Sequence, residues 1–323
     1  MKILFLVQSY IPAVKQEEYL SILTDTIDSI ARQSVLDGFN VNVVLCDDGS
    51  DYLADLQGDE IQEVEDKQLD VIKEKFKLKI NNLFISKKSN NYQKADLFRY
   101  VIELYLSQYE LFIFLDDDHS FVHENSLLKF VQHYNQGYEF IVGKLYHPVN
   151  RFRFYTDYKV QGTTFALSKQ ALINGHFFTK YIAQWGCGED SEVFFKAYKL
   201  CNNKKLKAIY DSNIITIDKI TGRWLYCQNQ VGGVDIFKKG FKELYGVDPH
   251  NNPSRDKKKW MDFLPLENGI NEKLSVFVSL SEYLTYTNKS LFVKYLWQIK
   301  WRFLFLIKML KGILKYLYEQ FIK

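Results

Sequence analysis

Leu111-Phe112-Ile113-Phe114-Leu115 runs without a spacer into Asp116-Asp117-Asp118-His119. A short, unbroken apolar run rich in aromatics reads as a strand buried on both faces. Three consecutive acids at its end repel one another unless a cation sits among them. Side chains alternate along an extended segment, so Asp116 and Asp118 can point the same way. Hard divalent ions such as Mn2+ or Mg2+ take carboxylate oxygens and keep positions open for diphosphate oxygens. The stretch therefore predicts a metal-diphosphate site at a strand end. An exposed acidic turn is the alternative, and the lack of any spacer after the apolar run speaks against it. His119 could add a ligand, although a lone His beside acids is more often a hydrogen-bonded neighbour.

Outward from this strand the chain alternates apolar runs with helical stretches. KILFLVQ (2–8), NVNVVLC (40–46), LKINNLFI (78–85) and ELFIFL (110–115) read as strands. Tyr19–Arg32 and Ala95–Leu106 carry helical spacing of apolar residues, and Leu56–Lys75 is a more polar helix candidate. This order argues for an α/β fold, a mainly parallel sheet flanked by helices, whose ligands bind beyond the carboxyl ends of the strands. The second strand ends in Asp47-Asp48-Gly49-Ser50. Either acid can meet the imide N–H of a pyrimidine or a ribose hydroxyl, or simply close an Asx-turn. From Tyr138 the pattern changes to FIVGKLY, then VQGTTFALS, then a helix opening after Trp185, which suggests a second half closing over the first.

Trp185-Gly186-Cys187-Gly188-Glu189-Asp190-Ser191-Glu192 opens that helix. Its glycines allow close approach by a ligand, and its acids sit in the first turn, where the helix dipole favours negative charge. Capping alone explains one or two acids but not the Trp and both glycines.

Four segments in order now carry a resemblance. DDGS follows the second strand and a D-x-D follows the fourth; Gly162-Thr163-Thr164-Phe165-Ala166-Leu167-Ser168-Lys169 is followed by Trp185-Gly186-Cys187-Gly188-Glu189-Asp190. Tyr92-Gln93-Lys94-Ala95-Asp96-Leu97-Phe98-Arg99 adds a further segment. The chain resembles the inverting glycosyltransferases of the GT-A fold, and within them bacterial capsule and lipooligosaccharide family-2 transferases and the beta-galactosyltransferase and chondroitin polymerase group. The resemblance implies a UDP-sugar donor, with Asp47 or Asp48 on the uracil and Lys94 near the nucleotide. It implies Asp116 and Asp118 on the ribose and on a Mn2+ or Mg2+ that bridges the diphosphate. Trp185 and Gly188 would shape the sugar pocket, Asp190 would deprotonate the acceptor hydroxyl, and Glu189 would orient donor or acceptor. Where these enzymes supply a later metal-binding His on a short strand, this chain carries Asp218 in NIITID. A galactose-type hexose or N-acetylhexosamine and a saccharide or lipid-linked acceptor are the implied substrates, with capsule or another surface polysaccharide the implied product.

The net charge of +3 conceals a divided chain, for Lys289 to Lys323 holds eight Lys or Arg against Glu319 alone. That stretch interleaves its cations with Phe, Leu, Ile, Trp and Tyr, as expected of an amphipathic helix lying on an anionic membrane surface. Its apolar content is too high for a phosphate-binding arm, so nucleic acid is not expected as a partner. No apolar stretch of about 18 residues occurs, and no spanning helix is expected. MKILFLVQSYIP reads as a first strand rather than a signal peptide, and Cys46, Cys187, Cys201 and Cys227 form no CxxC pair, which fits a reduced compartment. The expected organisation is a transferase domain over 1–265 and a helical extension over 266–323, at the cytoplasmic face of the cell membrane. A nucleotidyltransferase would bring a Gly-rich basic phosphate loop after the first strand, and QSYIPAVKQEE lacks one. A membrane-tethered nucleotide-sugar or glycan-binding protein with a degenerate site is the non-enzymatic alternative.

Overall fold

A computed structural model describes residues 1–34, 38–86, 94–146, 164–179, 188–219, 233–249 and 251–255, together with Ile299 and Phe303. The chain divides into two compact units, Met1–Leu145 with Lys159–Asn268, and Tyr146–Tyr158 with Gly269–Lys323. The second unit, which holds the basic segment 289–323, lies almost wholly outside the described residues, as does the expected boundary at 265 in the first unit. Ile299 and Phe303 are helical and exposed. Among the described residues no helix is long and apolar enough to cross a membrane.

The first unit is built on one sheet of nine strands: β1 (Lys2–Ser9), β2 (Asn40–Asp47), β3 (Gln62–Glu63), β4 (Asn82–Ile85), β5 (Leu111–Asp116), β6 (His119–Phe121), β7 (Phe140–Tyr146), β8 (Thr164–Ser168) and β9 (Ala208–Asp218). Their order is β3-β4-β2-β1-β5-β8-β7-β9-β6. The sheet is mixed: β4, β2, β1 and β5 run parallel, while β3, β8 and the β6–β9 pair are antiparallel to their partners. The helices are α1 (Gln16–Ala31), α2 (Asp66–Phe76), α3 (Lys94–Tyr105), α4 (Ser126–Asn135), α5 (Lys169–Gly175), α6 (Glu189–Asn202) and α7 (Gly233–Tyr245).

Alternation along the parallel strands creates two cores, one per face. Leu4, Leu6, Val44, Phe112 and Phe114 join Leu97, Phe98 and Val101 of α3. Ile3, Phe5, Leu45, Ile113 and Leu115 join Leu23 and Ile27 of α1 and Phe130 of α4. Neither face of these strands meets water, which is why they read as continuous apolar runs rather than alternating ones.

Two expectations change. Leu56–Lys75 is not one helix: a 3-10 turn spans Asp51–Leu56, a two-residue edge strand spans Gln62–Glu63, and α2 begins at Asp66. The Val64 N–H donates to the Leu83 carbonyl, a sheet contact that outweighs local helix preference. The strand expected over 78–85 starts at Asn82, because the Asn81 side chain accepts from the Val43 N–H in place of a ladder bond.

β1 lies between β2 and β5, so successive connections leave it toward opposite edges of the sheet. The register places Ser9 beside Asp47 and Gln8 beside Asp116 at the carboxyl ends. A crevice at this kind of switch point is where open α/β sheets bind ligands.

Candidate active site

The acids at the end of β5 part at a two-residue turn, Asp117 and Asp118. Asp117 is buried and its Oδ2 accepts from the Tyr10 backbone N–H at 3.2 Å. Asp116, Asp118 and His119 turn the other way, with one donor atom from each lying within 4.8 Å of the others. His119 Nε2 is 3.5 Å from Asp118 Oδ1, and Nδ1 is 3.7 Å from Asp116 Oδ2. Antiparallel pairing with β9 holds this turn: His119 stands opposite Asp218, and the Lys219 N–H donates to the Asp118 carbonyl at 2.9 Å. Asp218 thus has its backbone beside the cluster, while its side chain lies outside the described residues. Two carboxylates and an imidazole form a donor set suited to Mn2+ or Mg2+.

Lys94 opens α3 and bridges two acids, its Nζ 2.7 Å from Asp116 Oδ1 and 2.8 Å from Glu189 Oε1. Burial alone would lower the pKa of this ammonium, but the charges of Asp116 and Glu189 more than reverse that, and it rises. Lys94 therefore stays charged. Glu189 belongs to the first turn of α6, which starts after Gly188 in a left-handed conformation at φ 97°. A side chain at Gly188 would also meet the Phe237 ring, since a Cβ there would sit 2.0 Å from it. Asp190 follows, its Oδ1 accepting from the Ser191 N–H at 2.6 Å and from the Ser191 hydroxyl at 3.3 Å. Lys94, Phe98, Phe114, Asp116, Glu189 and Asp190 all line one recess.

The Asp47-Asp48 pair divides its labour. Asp47 is fully buried: Oδ2 accepts from the hydroxyls of Ser9 and Ser50, each at 2.6 Å, and Oδ1 accepts from the Ser50 N–H at 2.7 Å. Burial pushes its carboxyl pKa up while those hydrogen bonds pull it down. Both oxygens are engaged in tying β1 to the turn after β2. Asp48 remains at the same strand end, its N–H donating to the Ser9 carbonyl at 2.8 Å.

Within the GTTFALSK segment, Thr164–Ser168 forms β8 beside β5, and Phe165 stacks on Phe114 under the recess at a centroid distance of 4.8 Å. Ser168 caps α5 by accepting from the Ala171 N–H at 3.0 Å. Gly162, Thr163 and Trp185 lie outside the described residues, as do Tyr92 and Gln93. His119 is the group that sequence reading undervalued. Its signal was positional: after a two-residue turn, His119 opens a strand that returns beside the acids.

A Rossmann-like α/β sheet with this acidic turn at its switch point has the frame of the GT-A fold. The model of glycosyl transferase family 2 matches residues 10–187, more than half of the chain, and the chain belongs to that family. No curated protein matches this chain. Among solved structures, S. aureus TarS 1-349 in complex with UDP is similar at 17% identity and a TM-score of 0.41, over 67% of this chain and 57% of that one. The mannosyltransferase PcManGT from Pyrobaculum calidifontis, in complex with GDP-Man and Mn2+, is similar at 12% identity and a TM-score of 0.46, over 92% of this chain and 79% of that one. The chain spans less than two thirds of the TarS structures it matches. Both likenesses are distant.

Proposed function

We propose that the protein transfers a hexose or N-acetylhexosamine, galactose-type favoured, from a UDP-sugar to a hydroxyl of a saccharide or lipid-linked acceptor. The observation that carries this reading is the convergence of Asp116, Lys94, Glu189 and Asp190 on one recess, although they lie on three separate parts of the chain. Asp116, Asp118 and His119 would hold the divalent metal, with Asp218 beside them in the ladder. A metal held there supplies positive charge to the diphosphate.

The chain's own groups then take defined parts. Asp48 faces the base or ribose, and Lys94 lends its ammonium to the donor side. Gly188 and Trp185 bound the sugar, and Glu189 orients it. Asp190 takes the proton of the acceptor hydroxyl as that oxygen bonds to the anomeric carbon. The bond from that carbon to UDP breaks, its electron pair leaves with UDP, and one displacement inverts the anomeric configuration. A first-turn position on α6 supports Asp190 as base, because the helix dipole favours the carboxylate form.

Residues 289–323 would rest the enzyme on the anionic cytoplasmic face of the cell membrane, where a lipid-linked acceptor for a capsule or other surface polysaccharide is available. The transferase domain is taken as 1–265 and the helical extension as 266–323. UDP release should be measured with UDP-Gal, UDP-GalNAc, UDP-Glc and UDP-GlcNAc in Mn2+. Release with one of them supports the proposal. UDP binding without release from any of the four would instead leave a tethered binding protein with a degenerate site.

A further inference from the structure

The residue three positions beyond Glu189 explains how the first turn of α6 is held. Glu192 is a carboxylate with no exposed surface. A buried charge persists only where donors compensate its lost hydration. Here they come from three directions. Thr179 donates its backbone N–H at 3.0 Å and its hydroxyl at 2.5 Å, Tyr245 donates its hydroxyl at 2.6 Å, and the Lys196 ammonium lies at 3.3 Å. Burial, and then the hydrogen bond to Glu192 and its charge, raise the pKa of the Tyr245 hydroxyl, so it remains a donor. Lys196 in turn donates to the His176 carbonyl, closing the network onto the segment that contains Thr179.

The partners are not neighbours in sequence. Thr179 lies before α6 and Tyr245 ends α7. Phe237, Phe241 and Tyr245 recur every four residues and so share one face of α7. Phe237 closes against Gly188 at the start of α6, and Phe241 and Tyr245 hold Phe195 with ring centroids 5.6 and 5.1 Å away. An apolar residue at 192 could fill the space. A carboxylate adds direction, because its two oxygens accept only from donors placed at fixed angles.

We infer that Glu192 is a positioning residue: its buried carboxylate pins the first turn of α6 to Thr179 and Tyr245, and thereby fixes Glu189 and Asp190 at the recess. This rests on the reading of Asp190 as the acceptor base. Asp190 accepts from the Ser191 N–H and hydroxyl within the same turn, two residues before Glu192, so a shift of that turn carries the base with it.

The test uses the full chain and three variants. Tyr245→Phe keeps the ring packing and removes one hydroxyl; Glu192→Gln keeps the shape and replaces an acceptor oxygen with a donor amide; Asp190→Asn removes the base. Turnover is read as UDP release, donor binding as the Kd of UDP in Mn2+, and local order as hydrogen exchange at the amides of residues 192–195. A displacement of about 1 Å at a reacting group can cost a hundredfold in rate, so Glu192→Gln should lower kcat by about a hundredfold and Tyr245→Phe by about tenfold. The UDP Kd should stay within about twofold, because the contacts proposed for it lie on β2, β5 and α3, and exchange at 192–195 should rise with no change in β5. The proposal is overturned if exchange at 192–195 is unchanged in both variants, or if kcat holds near the wild-type value. It is also overturned if UDP affinity falls as far as kcat, the pattern of a merely structural residue. If Asp190→Asn turns over normally, the base assignment fails instead, and the exchange result still decides whether Glu192 seats the turn.

Discussion

Replacing Lys94 with Gln removes the cation between two acids and leaves their charges facing one another. The legs of the bridge are 2.7 Å to Asp116 and 2.8 Å to Glu189, so the two oxygens stand at most about 5.5 Å apart. At an effective dielectric of about 20, like charges at that separation repel by about 3 kcal/mol. The three side chains are 18%, 23% and 19% exposed, so solvent screens the pair only in part. For a domain of this size each kcal/mol moves Tm by about 2 to 4 °C, so Lys94→Gln should lower Tm by about 6 to 12 °C. Scanning fluorimetry at low salt reads this directly. Adding Mn2+ should raise the Tm of the variant more than that of the wild type, because an ion bound at Asp116 takes over the compensation. Lys94→Gln with Glu189→Gln should recover most of the loss. A single variant within about 1 °C of wild type, or a double variant no better than the single, would refute the bridge as a source of stability.

Asp211 is buried against His133, with His133 Nε2 2.9 Å from its Oδ2, and accepts from the Asn213 N–H at 2.8 Å. Burial tends to raise its pKa, but the bonds from His133 and Asn213 outweigh that and hold it below 3.8. A folded-state pKa below the unfolded value gives stability that is full above the unfolded value and lost as pH falls through the folded one. Urea melts from pH 7 down to pH 2.5 should show this loss below about pH 4 in the wild type and a weaker one in Asp211→Asn. Gly188→Ala combines a left-handed φ of 97° with a Cβ 2.0 Å from the Phe237 ring, and should cost about 2 to 4 kcal/mol in chemical denaturation. Deleting residues 289–323 should move the protein from the pellet to the supernatant with anionic vesicles, and continued pelleting would overturn the membrane role of that segment.

The sequence made β5 and its acids legible because burial on both faces demands an unbroken apolar run, and Leu111 to Leu115 supplies one. α1 and α3 were legible for a related reason, each packing one helical stripe on the sheet. Leu56–Lys75 does not read as broken because a two-residue edge strand has too few residues to show a period, and its pairing with Phe84 and Ile85 on another strand selects it. The site shows the same division. Alternation along an extended segment predicts that Asp116 and Asp118 point together; they do converge, but at a two-residue turn rather than along a strand. His119 joined them through pairing with β9, a contact across about a hundred residues that no local pattern encodes. Asp47 looked like a ligand-facing acid, and its burial depends on two serines, Ser9 and Ser50, whose convergence only the fold reveals. Glu192 read as one more first-turn acid; what distinguishes it is Tyr245, on a different helix.

The most direct measurement of the central claim is UDP release from a UDP-sugar with and without Mn2+, in the wild type, Asp118→Ala and Asp190→Asn. Release should require Mn2+. Asp118→Ala should weaken Mn2+-dependent UDP binding, whereas Asp190→Asn should keep that binding and lose transfer. Full transfer by Asp190→Asn, or UDP binding in Asp118→Ala equal to that of the wild type, would contradict the division of the site into a donor-metal half and an acceptor-base half.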